Sequence, residues 1–246
     1  MTKRLLLISN STNPGEDYLG WPRKDIKNFL DATNIKRVLF IPYAGVGLSN
    51  DGEIEKSYDI YEKRVYKVYK EIGYEIYSIH KEADPVKAIN EAEALAVGGG
   101  NTFYLVYMIH KLGLMKPIRE CVLKGLHYMG WSAGSNLVCP TMRTTNDMPI
   151  IEPQSLNCLN LIPFQINPHY LDAHPQGHGG ETREQRIQEF LVANKKMFVA
   201  GLREASLFQI EDDNIQLIGK RPMRLFKFNQ EPKEYEPGSN MDFLWG

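Results

Sequence analysis

Gly130-Trp131-Ser132-Ala133-Gly134 sets a serine between two glycines, at the junction of the apolar run Leu126-His127-Tyr128-Met129 and the segment Ser135-Asn136-Leu137-Val138, which can open a helix. A serine in that setting occupies a sharp turn, because its small neighbours let backbone approach closely. The turn holds the hydroxyl clear of the sheet and close to the free N–H groups at a helix start, where a developing oxyanion is stabilised. Three fixed positions in five are a weak pattern by themselves. The chemistry of a serine nucleophile further requires a base, a carboxylate to orient that base, and a second oxyanion donor.

Histidine is the expected base because its unperturbed pKa lies near neutrality. Of the six histidines, His169 in Asn167-Pro168-His169-Tyr170 directly follows an apolar strand-like run, a position that often supplies catalytic groups in α/β folds. His80 and His110 sit beside strand and helix ends, His127 lies within the strand before the serine, where a structural role is expected, and His174 and His178 share the loop that follows His169, where a solvated role is the alternative. Two carboxylates compete to orient the ring. Asp147, in Thr144-Thr145-Asn146-Asp147-Met148-Pro149, stands between serine and histidine in the chain, and Glu204 follows a later strand-like run. Order along the chain cannot choose between them, because such triads are defined by geometry.

The second oxyanion donor is expected from Gly98-Gly99-Gly100-Asn101-Thr102. There an amide N–H of Gly99 or Gly100 would join that of Ala133, and Asn101 would help shape the pocket. The run lacks the spacing of a dinucleotide-binding loop and the lysine of a P-loop, so a nucleotide site is the weaker reading. Arg183, taken alone, reads as a solvated charge on a helix face already polar with Glu184, Arg186 and Glu189.

The elements that must position these residues alternate between strand and helix through residue 140. Leu5 to Ser9, Val38 to Ile41, Glu75 to Ile79 and Leu95 to Val97 predict strands, the first as an uninterrupted apolar run of the kind covered on both faces. Helices are expected at Pro22 to Asp31, Ser57 to Ile72, Pro85 to Glu91, after Thr102 and over Thr182 to Ala193. The predicted fold is a single α/β domain over residues 1–246, with a mostly parallel sheet flanked by helices on both faces. Further strands are expected at Ile162 to Ile166 and Phe198 to Leu202, and the tail from Leu207 to Phe228 suits short antiparallel strands at the sheet edge. Ligands of such sheets gather at the carboxyl ends of the strands, where both Ser132 and the glycine run fall.

With 246 residues, 43% hydrophobic and 24% charged, the composition is that of a globular protein, and a net charge of −1 gives no electrostatic case for nucleic acid or anionic membrane. No stretch has the roughly 18 apolar residues of a membrane span, and no cleavable leader is recognisable, so a cytoplasmic location is expected. Three cysteines without metal-type spacing suit a reducing compartment.

Taken together, Gly98 to Phe103, Gly130 to Gly134, Thr144 to Pro149, Asn167-Pro168-His169 and Gly180-Glu181-Thr182-Arg183-Glu184-Gln185-Arg186 resemble the peptidase E family of α-aspartyl dipeptidases, in the same order and across nearly the whole chain. The opening Leu7 to Thr12 is similar as well. The resemblance implies a fold like that of class I glutamine amidotransferases and hydrolysis of dipeptides with an N-terminal aspartate through an acyl-enzyme. It implies Ser132, Asp147 and His169 as the charge relay, with Glu204 as the rival third member, and Arg183 as the group that holds the substrate's aspartyl carboxylate. No metal or organic cofactor is implied, small peptides are the expected partners, and a homodimer is left open. Two other readings keep the fold: a cyanophycinase-like enzyme acting on an aspartyl-arginine polymer, and a non-catalytic binding protein.

Overall fold

The computed structural model describes residues 2–172, 177 and 179–245; His174 and His178 lie outside them. Five parallel strands, β1 (Arg4–Ile8), β2 (Arg37–Ile41), β3 (Glu75–Ser78), β4 (Ala94–Val97) and β5 (His127–Trp131), alternate with α1 (Arg23–Asp31), α2 (Ile54–Glu71), α3 (Pro85–Glu91), α4 (Thr102–Lys111) and α5 (Met115–Leu123). The one-turn helix α6 (Ala133–Asn136) follows β5 directly. Further along come β6 (Gln165–Pro168), α7 (Arg183–Ala193), β7 (Phe198–Leu202), β8 (Ser206–Glu211), β9 (Asn214–Gly219), β10 (Met223–Lys227) and β11 (Lys233–Tyr235). The main sheet runs in the order β3-β2-β4-β5-β1-β8-β9, with β8 antiparallel to β1 and β9 antiparallel to β8.

Alternation along β1 explains why its sequence is apolar throughout. Leu5 and Leu7 enter one core with Leu105, Ile109, Ile118 and Val122 from α4 and α5, while Leu6 and Ile8 enter the other with Ile26, Phe29, Val65 and Tyr69 from α1 and α2. A strand with a helical layer on each side has no solvated face, so a period of two is not expected in its hydropathy. The mostly parallel sheet with helices on both faces is the expected architecture.

Two features differ from the sequence-based expectation. Strand β7 does not join the main sheet. It pairs in parallel with β6 and antiparallel with β10 in a second sheet ordered β11-β10-β7-β6. Hydropathy reports that a strand is buried, not which neighbour buries it. Helix α5 has no counterpart among the expected elements, since its buried face is only Ile118 and Val122, too short a stripe to stand out.

The carboxyl ends of β4 and β5 are adjacent, with Val97 registered against Gly130. That register brings the loop after Val97 next to the turn after Trp131. A Cβ on Gly134 would lie 2.2 Å from the Val97 carbonyl oxygen, and one on Gly130 would lie 2.4 Å from that of Gly134. Both glycines of the serine motif are therefore required by close packing of backbone on backbone.

Candidate active site

Ser132 adopts φ 54° and ψ −111°, left-handed backbone that a non-glycine residue rarely occupies. Strain of this kind costs about 1–3 kcal/mol and persists where surrounding structure enforces it. Here the Ser132 N–H donates to Ile8 O at the end of β1, and Ser135 Oγ lies 2.8 Å from both Ile8 O and Gly130 O. The turn is thus pinned from behind, and the hydroxyl faces a cleft of about 630 Å³ lined by Ala44, Tyr61, Gly99, Asp147, His169 and Arg183 among others.

His169 reaches Ser132 from the end of β6. Its Nε2 lies 3.0 Å from Ser132 Oγ and its Nδ1 lies 2.8 Å from Glu204 Oε1. Each ring nitrogen has one partner, so the neutral tautomer that serves the serine carries its proton on Nδ1, donated to Glu204, and accepts the Ser132 hydroxyl at Nε2. His169 also has positive φ, 52°, and is held there by Ser9, whose Oγ accepts from His169 N–H at 2.9 Å and donates to Leu202 O at 2.7 Å. One serine at the end of β1 therefore ties the histidine segment to the strand that leads into Glu204. Arg203 ties them a second time: its guanidinium pairs with Asp172, three residues past His169, and with Glu234 of β11. These two carboxylates raise the Arg203 pKa still further above its ordinary value.

Asp147 does not approach His169. Its Oδ2 accepts from Thr102 N at 2.7 Å, Thr102 Oγ1 at 2.5 Å and Thr145 Oγ1 at 3.0 Å, at the start of α4. The structure brings Ser132, His169 and Glu204 together and leaves Asp147 outside that chain of hydrogen bonds. The physical reason is that the Thr144 to Pro149 segment docks on α4, where Asn101 Nδ2 donates to Met148 O. Asn101 itself is the α4 N-cap, accepting from Tyr104 N at 3.0 Å. Both ends of its amide are occupied by protein, so it builds the cleft wall.

Gly99 and Gly100 line the cleft as expected, and their N–H groups and that of Ala133 have no acceptor among the described residues. A Cβ on Gly100 would lie 2.2 Å from Ala44 O, with φ at +135°, so only glycine fits. The loop is oriented by a residue the sequence did not single out. Tyr61 of α2 donates its hydroxyl to Gly99 O at 3.0 Å and accepts from Trp131 Nε1 at 3.0 Å and Tyr18 OH at 3.1 Å. Its ring occupies space that a Cβ on Gly45 or Gly98 would need. In the sequence Tyr61 is one of several tyrosines on an amphipathic helix, with nothing to mark it.

Arg183 opens α7 behind the capping residue Thr182 and reaches the same cleft. Burial lowers its pKa from the ordinary arginine value, Arg186 adds to that shift, and Asp147 opposes it. It forms no ion pair among the described residues, whereas Arg186, Arg203 and Arg224 all do. The cysteines are poor nucleophiles: Cys139 is buried, and burial pushes its thiol up to about 12. Outside the cleft, Asp59, Glu62 and His80 converge closely enough to hold an ion, but the Lys81 ammonium already pairs with both carboxylates.

An elbow serine, a histidine and a buttressing glutamate on a mostly parallel α/β sheet define a serine hydrolase. The comparisons with known proteins give its family. The sequence profile of peptidase family S51 matches residues 5–218. Peptidase E of Nostoc sp. is 51% identical over 244 residues, covering 99% of this chain and 97% of its own. Peptidase E of Salmonella typhimurium is 43% identical over 234 residues, covering 95% and 98%. Among solved structures, a peptidase from an acI-B1 Actinobacterium superposes with a TM-score of 0.72 at 16% identity, over 98% of this chain and 97% of that one. A putative peptidase E protein from Listeria monocytogenes gives 0.61 at 21% identity, over 89% and 100%. These two show a shared fold. The chain belongs to peptidase family S51 and is a serine peptidase. No helix among the described residues is long and apolar enough to cross a membrane.

Proposed function

We propose that this peptidase hydrolyses dipeptides with an N-terminal aspartate, Asp-X, through an acyl-enzyme formed on Ser132. The observation that carries the reading is the hydrogen-bonded line from Ser132 Oγ through His169 to Glu204, with Arg183 on the wall of the same cleft and in no ion pair among the described residues. Ser132 Oγ attacks the aspartyl carbonyl carbon and gives its proton to His169 Nε2. The tetrahedral oxyanion accepts from the N–H of Ala133 and from one of the Gly99 and Gly100 amides, each such donor being worth about 3 kcal/mol of barrier. His169 then passes the proton to the leaving amine, the C–N bond breaks, and water deacylates the serine by the same route reversed.

Glu204, hydrogen-bonded to His169 Nδ1, holds the imidazole in the tautomer this requires. Arg183 takes the aspartyl side chain. A guanidinium fork pairs a carboxylate through two parallel bonds, and partial burial strengthens the pair while making an apolar side chain an unfavourable substitute there.

The test is a panel of X-Leu dipeptides with wild type, Ser132→Ala and Arg183→Ala. Asp-Leu should be cleaved far faster than Asn-Leu or Ala-Leu, and Ser132→Ala should lose at least about 10⁴-fold in kcat with the fold intact. Arg183→Ala should lose about 100-fold or more in kcat/KM for Asp-Leu and little for Ala-Leu. Equal rates on Asp-Leu and Ala-Leu in the wild type would remove the aspartyl specificity, and an active Ser132→Ala would remove the acyl-enzyme.

A further inference from the structure

Asn146, in the segment Thr144 to Pro149, is tied to the imidazole through the backbone that carries it. Its Nδ2 donates to Pro168 O at 2.7 Å. That carbonyl belongs to the peptide entering His169, and the N–H of the same peptide donates to Ser9 Oγ at 2.9 Å. In a planar trans peptide the two groups point opposite ways, so the unit is gripped from both sides, by a loop residue on one and by the end of β1 on the other. The next peptide is held as well, since Tyr170 N–H donates to Leu202 O at 3.2 Å.

The amide of Asn146 has one favourable orientation. Its Oδ1 accepts from Asn167 Nδ2 at 2.7 Å, and the same nitrogen of Asn167, a residue 2% exposed, donates to Thr144 O at 2.8 Å. Turned over, Asn146 would set one NH2 group against another and its oxygen against the Pro168 carbonyl. Thr144 Oγ1 meets Ile166 O at 2.9 Å, two residues before Pro168. Strand β6 is the last of its sheet, and alternate carbonyls of a strand face the same edge. Side chains two apart in the loop thus satisfy carbonyls two apart on that edge, so Thr-Thr-Asn interlocks with Asn167-Pro168-His169 where a further strand is missing.

Resting on the Ser132 and His169 relay proposed above, we infer that Asn146 is the positioning residue of the catalytic histidine, fixing through the Pro168 carbonyl the peptide from which the imidazole hangs. The grip is needed because His169 is held at φ 52°, left-handed backbone whose cost to a residue with a Cβ is comparable to one net hydrogen bond. Releasing the carbonyl frees the peptide plane to tilt, and the strain then relaxes by turning Cβ about the N–Cα bond. The ring at the end of that lever leaves Ser132 Oγ and Glu204 Oε1, which it meets at 3.0 and 2.8 Å. Asn146 takes no proton in this account; it sets where the proton can go.

Asn146 also lines the cleft, so the experiment must separate an action through His169 from a contact with substrate. It follows Asn146→Ala and Asn146→Asp on Asp-Leu near pH 7, beside thermal melts. Asn146→Asp keeps the shape and the oxygen that Asn167 needs and lacks the donor to Pro168 O, so it gives the reading even where Asn146→Ala fails to fold. Both variants should lose about 10–100-fold in kcat, the scale of a base displaced by about an ångström, with KM within about threefold of wild type. Added to His169→Ala, Asn146→Asp should change the residual rate by less than about twofold, because no ring is left to position. The Nδ1–H proton resonance of the His169 to Glu204 hydrogen bond, identified by its absence in His169→Ala, should be lost or shifted in folded Asn146→Asp.

An unchanged kcat in Asn146→Asp, with Ser132→Ala inactive, would overturn the positioning role and leave the relay standing. The same fold loss in the wild-type and His169→Ala backgrounds, or a loss carried by KM, would also overturn it and make Asn146 a substrate contact. An active Ser132→Ala would instead sink the relay on which the inference rests.

Discussion

Glu204 Oε1 lies 2.8 Å from His169 Nδ1, and both side chains remain about one-third exposed, at 32% and 39%. The pair is therefore screened by solvent to a degree a buried pair is not, and its value lies in orientation more than in folding stability. The glutamate reaches the ring from the end of β7, in the second sheet, while the serine belongs to the main sheet. The seam between the two sheets is consequently part of the site, closed by Ser9, whose hydroxyl links the end of β1 to His169 N–H and Leu202 O.

If Glu204 holds the tautomer, Glu204→Gln should leave the fold and KM nearly unchanged and reduce kcat by about 10⁴-fold, because the amide can bond Nδ1 with the ring inverted in donor sense. Steady-state kinetics with Asp-Leu, beside a thermal melt, reads the split. A loss under about tenfold would place the orienting role elsewhere.

Tyr61 orients the Gly99–Gly100 loop beside Ser132, the loop proposed to supply an oxyanion donor. Its hydroxyl holds the Gly99 carbonyl, and across a planar trans peptide the Gly100 N–H must point the opposite way. Tyr61→Phe releases that carbonyl, so kcat should drop about 10–100-fold with KM little altered, short of deleting a donor outright. The Trp131 Nε1–H would also lose its acceptor, which should lower stability by about 1–3 kcal/mol. A proportional rise in KM with unchanged kcat would contradict the assignment.

Acid should destabilise the protein through His127, a residue remote from the chemistry. Burial against Phe29, with Arg4 beside it, lowers its pKa to about 4 from an ordinary 6.5. The unfolded chain binds a proton that the folded one refuses between those values, so stability present above pH 6.5 is lost as pH falls toward 4. The full effect is about 3 kcal/mol at most. Melting temperatures of wild type and His127→Gln from pH 7 to pH 4 should diverge in slope, the variant being flatter; parallel curves would exclude His127 as the source.

Much of this molecule is legible in one dimension. The apolar run of β1, the repeat along α2, and the glycines around Ser132 each express a local requirement: burial on both faces, burial on one stripe, or backbone too close for a Cβ. Such requirements act on the residue itself or its near neighbours, so sequence determines them and places Ser132, His169, Gly99 and Gly100 at strand ends. The choice between Asp147 and Glu204 was not of that kind. Both are acidic residues in plausible loops, and only the docking of residues 144–149 onto α4, together with the pairing of β7 with β6, decides which carboxylate meets the imidazole. Tyr61 was hidden for the same reason, since its hydroxyl acts on a loop 38 residues away. Contacts between distant segments depend on where each surface finds a complementary one, and that is settled only when the two cores have closed.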